Sequence, residues 1–371
     1  MAHAGSIHTK RWIRFFAEKG HRVHLLSFAS LEAHDIPGVT FHHLKNPLPI
    51  EMPGVSYAVN LLPNIVQIKR ILNCVKPQVL HAHEAVNYGR FAAFCTFHPL
   101  IITPWGTDIF IKSKAGMQKM ITCLTLKKAD LITTDGENTK DTMLGMGIDG
   151  RKIAMIRFGT DTSIFRRAPS DAALKKTLHL ENKKIVISLR ALARSHGVIN
   201  LIKAIPLILK EIPDARFLIA GGMDYDPPYA RHLMKEVRSL NIARFINFVG
   251  YLTSEDLPRY LNIADVYVST GLSDSGLSSS TAEAMACELP IITTDVADNR
   301  SWIKDGEGGF IVAKNDYKTL TMRIIEVLKD LDARDKFGSI NRRAIMKDND
   351  YETEMGKMED LYYQLAFPSN L

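Results

Sequence analysis

The sequence predicts an α/β protein built from two consecutive parallel sheets, and three observations carry that expectation. Short β-rich runs alternate with amphipathic helical stretches through residues 1–160. The same alternation begins again near Lys184 and continues to the end of the chain. The 371 residues suit two domains at roughly 150 residues each. Strands that alternate with helices favour parallel sheets with helices on both faces.

In chain order, Arg11 to Lys19 reads as a helix, and RVHLLSF (Arg22–Phe28) and VTFHHL (Val39–Leu44) as strands. Leu61, Leu62, Ile65, Ile68, Leu72 and Val75 repeat at helical spacing, which predicts a helix over Leu62–Cys74. PQVLHAH (Pro77–His83) is a strand, followed by a helix near Tyr88–Phe97 and the strand LIITPW. A helix near Met117–Lys128 leads to DLITTD, and KIAMIRF is the last strand of the first half. The turn-like Phe158-Gly159-Thr160-Asp161 marks the join. Strands Lys184–Arg190, Ala215–Gly222 and Ile246–Gly250 then alternate with helices Val198–Glu211, Tyr229–Leu240 and Ser254–Asn262. Strand DVYVST, helix Thr281–Cys287, strands PIITTD and GFIVA and helix Tyr317–Leu328 follow, with helices near Asp332–Met346 and Tyr351–Phe367 last. The expected domains are 1–160, 161–345 and a terminal helical segment 346–371 that crosses back to the first.

Hydrophobic residues are 46% and charged residues 23% of the chain, which excludes a disordered or fibrous protein. Cys74, Cys95, Cys123 and Cys287 are widely spaced, which argues against a disulfide framework or structural zinc and suits a reducing cytosol. No segment reaches the ~18–20 apolar residues of a membrane span. Residues 1–160 hold 19 Lys+Arg against 11 Asp+Glu, so the excess there, +8, exceeds the +7 of the whole chain. A one-sided surplus is consistent with an anionic membrane surface as partner, or with a solubilising face.

The strongest local signal is SDSGLSSSTAEAMACELPIITTD (Ser273–Asp295). Ser278, Ser279 and Ser280 open a helix whose first N–H groups would make an anion site, and Glu283 would stand in its first turn. Ser280-x-x-Glu283 also fits a capping box, which needs no ligand. His81 and His83 lie two apart on a strand and share a face, with no further ligands in sequence, so no metal is expected. Asp224-Tyr225-Asp226 has D-x-D spacing, again without a metal expected.

Ala-Glu-Ala-Met-Ala followed by a Leu-Pro-Ile-Ile strand resembles the donor-site helix of the family-4 glycosyltransferases of GT-B fold. HTKRWIRFFAEKGHRVHLLS (His8–Ser27) resembles that family's first helix and second strand, and TPWGTDIF (Thr103–Phe110) its acceptor-side loop. IRFGTDTSIF (Ile156–Phe165) resembles the hinge, and SLRALARSHGVINLIKAI (Ser188–Ile205) the opening of the second domain. WIKDGEGGFIVAKND (Trp302–Asp316) resembles the segment after the donor site. The resemblance implies two Rossmann-like domains facing a cleft, with retaining, metal-independent transfer from a nucleotide diphosphate sugar and no cofactor. Its implied acceptor is a glycan or lipid-linked molecule, made into cell-surface polysaccharide or glycolipid by a cytoplasmic, membrane-peripheral enzyme. Nucleic acid is not an expected partner.

Carried over by position, Glu283 would bind the donor ribose, and Ser279, Ser280 and Thr281 would offer hydroxyl or N–H groups to the diphosphate. Arg190 would offset the charge of the leaving diphosphate. The basic loop residue that precedes the family's glycine would be Arg194, in preference to His196. Ser275 stands where the family has the first of two glutamates, and the neighbouring Asp274 would take its place against the sugar. Trp105 stands where many relatives have histidine, leaving it to stack on an acceptor, with Asp108 binding a hydroxyl or capping the next element. Gly5 and Ser6 resemble the loop that approaches the donor, and His8 and His83 fall on the acceptor side. The family's first strand is missing before Gly5, and a start upstream is the expectation. Ser275, Trp105 and that strand leave two other readings open: a nucleotide-sugar binding protein without catalysis, and a GT-B nucleotide-sugar epimerase.

Overall fold

The computed structural model describes residues 1–30, 36–45, 53–110, 116–330 and 332–368. The chain forms two compact units, one of residues 1–158 with 353–371 and one of residues 159–352.

Unit 1 contains α1 (Ile7–Glu18), β1 (Val23–Ser27), β2 (Val39–His43), α2 (Pro53–Val75), β3 (Leu80–His83), α3 (Tyr88–Phe94) and β4 (Leu100–Thr103). It continues through α4 (Thr107–Phe110), α5 (Gly116–Lys127), β5 (Leu131–Thr134), α6 (Glu137–Gly145) and β6 (Ile153–Met155). Four strands, β3-β4-β5-β6, make one parallel sheet, and β1-β2 a second. β4 is buried along its whole length, as expected of a parallel strand covered on both faces. The sequence gives no sign of α6, ENTKDTMLG, because only Thr139 and Met143 of that helix are buried.

The first two residues stand between those sheets. The Met1 amino group donates to the His81 carbonyl, Met1 accepts from His83 N–H, and Ala2 N–H donates to Leu26 O. Among the described residues no strand precedes α1. A cavity of about 520 Å³ lies between β1 and β3, lined by residues including Leu25, Leu80, Trp12, Phe16 and Tyr362.

Unit 2 contains α7 (Ala172–Thr177), β7 (Lys184–Leu189), α8 (Ile199–Glu211), β8 (Ala215–Ala220), α9 (Pro227–Ser239) and β9 (Ile246–Gly250). Then come α10 (Leu257–Ile263), β10 (Val266–Ser269), α11 (Ser279–Ala286), β11 (Ile291–Thr294), α12 (Asn299–Trp302) and β12 (Gly309–Val312). Helices α13 (Tyr317–Lys329), α14 (Ala333–Asp348) and α15 (Tyr351–Ala366) complete the chain, and residues 353–366 of α15 belong to unit 1. The sheet order is β12-β11-β10-β7-β8-β9, with every pair parallel.

Helix α8 buries Leu201, Ile202, Ala204, Ile205 and Ile208 on one face. At about 1.5–3 kcal/mol per large aliphatic side chain, that face alone anchors it. Alanines 282, 284 and 286 let α11 lie close to the sheet, and all three are buried. Glu288, just past α11, adopts φ 58°, a conformation that favours glycine. Its carboxylate pairs with Arg167 at 3.6 Å and Arg342 at 3.9 Å. Gly159 has φ 72°, and a Cβ there would come within 2.5 Å of Tyr351 Cα, so the join needs glycine.

Within unit 1, α15 is tied down by polar contacts. Tyr362 Oη accepts from Trp12 Nε1 at 3.1 Å and lies 2.6 Å from His81 Nδ1. Glu354 accepts from the Arg157 N–H at 2.8 Å.

Candidate functional site

The strand order of unit 2 locates a crevice. From β7 the chain runs outward through β8 and β9, then returns to place β10 on the other side of β7. β7 and β10 therefore flank the switch point, and open α/β sheets bind ligands at the carboxyl ends of such strands.

Arg190 follows β7 directly, and Asp274 lies in the loop after β10. Arg190 Nη2 donates to Asp274 Oδ2 at 2.7 Å. The arginine is 8% exposed, and its Nε has no hydrogen-bond partner. Gly271 lies beside the pair, since a Cβ there would stand 3.7 Å from Arg190 Nη2.

His196, not Arg194, stands in this group. Its Nδ1 is 2.8 Å from the Ala191 carbonyl, so Nδ1 carries the proton. Burial, and then the Arg190 charge, hold its pKa below the usual histidine value, which keeps the ring neutral. The short 3₁₀ turn Arg194–His196 sends the Arg194 side chain outward, 76% exposed, with Asp226 3.8 Å away. The Arg194 side chain is thus exposed and outside the Arg190–Asp274 group. Gly197 ends that turn at φ 58°, with Thr270 O against the position of a Cβ. Leu272 N–H donates to Ser195 O at 2.8 Å, which ties the β7 and β10 loops together.

Helix α11 begins at Ser279 with Ser278 as its N-cap, so Ser280-x-x-Glu283 is not a capping box. Glu283 consequently sits past the first turn, half-buried. The Ser278 side chain makes no cap hydrogen bond. Thr281 and Ala282 N–H both donate to Ser278 O. The N–H groups of Ser279 and Ser280 have no partner among the described residues. The hydroxyls are engaged elsewhere: Ser280 Oγ is 2.9 Å and Thr281 Oγ1 3.4 Å from Tyr267 Oη. Thr281 is buried, so its hydroxyl does not face the crevice, contrary to the sequence expectation. Ser275 lies half-buried in the loop between Asp274 and the helix.

In unit 1, His8, His83, Trp105, Trp12 and Phe158 form an aromatic group. The His8 ring lies 4.5 Å from Phe158 and meets Trp105 edge-on at 6.1 Å. Trp12 meets His83 edge-on at 4.9 Å. Trp105 Nε1 donates to His83 Nδ1 at 3.4 Å. Burial lowers the His83 pKa to about 3, and burial with the Arg11 charge lowers that of His8 to about 4. Both are neutral at pH 7. His81 and His83 stack at 4.3 Å on one face of β3, and His81 Nε2 reaches Thr103 Oγ1 at 2.6 Å. Gly5 is exposed and Ser6 is the N-cap of α1, so both stand at the loop entering that helix.

Asp108 is fully buried and accepts from Ala85 N–H at 2.6 Å and Trp105 N–H at 3.0 Å. It tethers its own loop to the turn after β3, so its placement beside an acceptor hydroxyl is corrected. Burial raises its pKa to about 6. Asp226 caps α9 by accepting from Tyr229 N–H at 3.2 Å, which accounts for one half of the D-x-D. Among the described residues no three His, Cys, Asp or Glu are grouped to hold a metal.

Sequence pattern did not single out Tyr267 or Tyr362. Each is an aromatic residue in an apolar stretch, and only the fold shows where its hydroxyl goes.

Two family models match the chain: "Glycosyl transferases group 1" over residues 170–344 and "Glycosyl transferase 4-like" over residues 1–136. The chain is 24% identical over 362 residues to the Staphylococcus aureus capsular polysaccharide biosynthesis glycosyltransferase CapM, covering 94% of this chain and 92% of that one. It is 25% identical over 210 residues to the GDP-mannose-dependent alpha-(1-6)-phosphatidylinositol monomannoside mannosyltransferase of Mycolicibacterium smegmatis, 55% of this chain and 54% of that one. The match spans about half the length of that relative and of the Bacillus subtilis spore coat protein SA. Among solved structures, Anabaena Alr3699/HepE in complex with UDP and glucose superposes with a TM-score of 0.82 at 16% identity, over 97% of this chain and 96% of that one. That likeness shows a shared fold.

Proposed function

Because the chain belongs to the glycosyl transferases group 1 family, we propose that it is a retaining glycosyltransferase. It moves a sugar from a nucleotide diphosphate sugar to a glycan or lipid-linked acceptor. One observation carries the reading: the open Ser279 and Ser280 N–H groups at the start of α11 and the buried Arg190 both lie at the unit 2 switch point.

The chemistry follows from that placement. Free N–H groups at a helix start are an anion site, and the helix dipole adds to their pull. A guanidinium that is already desolvated and held by Asp274 offers fixed positive charge to a leaving diphosphate. Such preorganised charge stabilises the transition state more than the ground state, because charge on the diphosphate grows as the glycosidic bond breaks. The leaving phosphate oxygen takes the acceptor's proton in a retaining displacement, so no side-chain base is needed at Trp105. Glu283 holds the donor ribose. The donor likeness is supported by the UDP bound to Alr3699/HepE, and a lipid-linked acceptor by the phosphatidylinositol mannoside of the mycobacterial relative. In unit 1, the half-buried His8 and Trp105 present uncharged rings suited to a sugar face, with the buried His83 packed behind Trp105.

Purified protein incubated with a panel of nucleotide sugars should release nucleoside diphosphate only when an acceptor is present. Isomerised donor without release would instead mark an epimerase, and binding without turnover a donor-binding protein. Either result overturns the proposal.

No described helix is long and apolar enough to cross a membrane. We place unit 1 on an anionic bilayer through its basic surplus, with Lys10, Arg11 and Arg14 on α1 as contacts. Replacing all three with Gln should weaken binding to anionic liposomes, and equal binding would refute the surface role.

A further inference from the structure

Among the described residues Tyr267 is the largest of the fully buried side chains, and it lies on β10 at the centre of the unit 2 sheet. A phenylalanine would fill that space without burying a hydroxyl. Burying a hydroxyl is tolerated only when it is hydrogen-bonded. The partners of this phenol are the hydroxyls of Ser280 and Thr281 in the first turn of α11 and that of Ser269, two residues on along β10.

The bonds link these hydroxyls in a chain. Thr281 Oγ1 donates to Tyr267 Oη at 3.4 Å. That leaves Thr281 to accept from Ser278 Oγ, 2.7 Å away. The phenol and Ser280 Oγ share a hydrogen bond at 2.9 Å in which either can donate. Ser278 is the N-cap, and an N-cap serine ordinarily accepts from the second or third N–H of its helix. Here it does not. Its hydroxyl is drawn sideways to Thr281, and the N–H groups of Ser279 and Ser280 stay open.

We propose that Tyr267 is a positioning residue of the donor site: its phenol holds the first-turn hydroxyls of α11 so that none of them caps the helix. Phosphate oxygens then meet backbone N–H groups that would otherwise be satisfied internally. A second feature points to an anion at the same place. Arg190 is buried, with an unpartnered Nε, and its charge acts on the Tyr267 phenol. The inference rests on the donor-site reading above and deepens it. The hydroxyls of Ser280 and Thr281 serve the fold, and the amides serve the phosphate.

The experiment compares binding of UDP and GDP with that of uridine and guanosine, by calorimetry. Tyr267→Phe removes the acceptor that holds Thr281, and with Thr281 released Ser278 turns to cap the helix, so diphosphate affinity should fall on the order of tenfold, the scale of one N-cap bond. Nucleoside affinity should change less than twofold. Adding Ser278→Gly removes the competing hydroxyl at little cost to the helix, and the double variant should regain the diphosphate affinity. Ser278→Gly alone should bind diphosphates within about twofold of the parent.

Equal loss for diphosphate and nucleoside would mark a merely structural tyrosine. No rescue by Ser278→Gly would overturn the capping argument. A large loss of UDP in Ser280→Ala alone would make that hydroxyl a direct ligand and overturn it independently of whether Tyr267→Phe folds. A parent protein that binds neither diphosphate would refute the donor site itself, and with it this inference. If diphosphates bind but Glu283→Ala leaves nucleoside affinity unchanged, only the ribose assignment fails.

Discussion

Replacing Asp108 with Asn should make unit 1 gain stability relative to the parent as pH rises. Asp108 is fully buried, and its folded pKa of about 6 lies above the ordinary 3.8 because burial disfavours the carboxylate. The folded state therefore binds more protons than the unfolded state between those values. Its contribution is most favourable below pH 3.8 and is lost as pH rises through about 6. At about 1.36 kcal/mol per pH unit, the gap between 3.8 and about 6 amounts to about 3 kcal/mol, of which about 2 falls between pH 4.5 and 7. Asparagine keeps the shape and has nothing to titrate. It sets one amide hydrogen-bond mismatch against Ala85 or Trp105 N–H, a cost that does not change with pH. The difference in unfolding free energy, variant minus parent, should thus rise by about 2 kcal/mol from pH 4.5 to 7, whatever its offset. Urea unfolding followed by tryptophan fluorescence can isolate this unit. Two of the three tryptophans, Trp12 and Trp105, lie in it, and Trp302→Phe silences the third. A difference that stays flat across that range would show that Asp108 is charged without penalty, and the tether argument would be wrong.

Two further predictions test the frame around the sites. Tyr362→Phe should cost unit 1 about 1–3 kcal/mol, because the Trp12 N–H loses its acceptor and His81 Nδ1 its partner. A urea midpoint unchanged from the parent would show that α15 is held by packing alone. Gly197→Ala forces a Cβ at φ 58° against Thr270 O. The left-handed conformation alone costs about 1–2 kcal/mol, so the unit 2 midpoint should drop and nucleoside diphosphate binding weaken as the His196 turn is displaced. Unaltered diphosphate affinity would separate that turn from the site.

The parallel α/β architecture was legible because its cause is local. Parallel strands buried on both faces are rich in apolar and β-branched residues, as β4, β10 and β11 are, and such runs survive reading without a structure. Elements that bury little left no trace: α6 hides two residues, and α12 is one turn long. The place of Arg190, at the carboxyl end of a strand beside the switch point, was legible for the same topological reason. The loop beyond it was not. Choosing Arg194 over His196 followed permanence of charge, but a 3₁₀ turn rotates successive side chains by about a third of a circle. Two residues therefore separate an outward arginine from a histidine beside Arg190. The serine run posed a harder problem. Its hydroxyls and its amides are both plausible phosphate donors, and the sequence weights them alike. The structure places a phenol, on a strand more than ten residues earlier, against the hydroxyls of Ser280 and Thr281. A residue type at a motif position therefore implies a chemistry, while its role depends on which of its polar groups the surrounding structure has already taken.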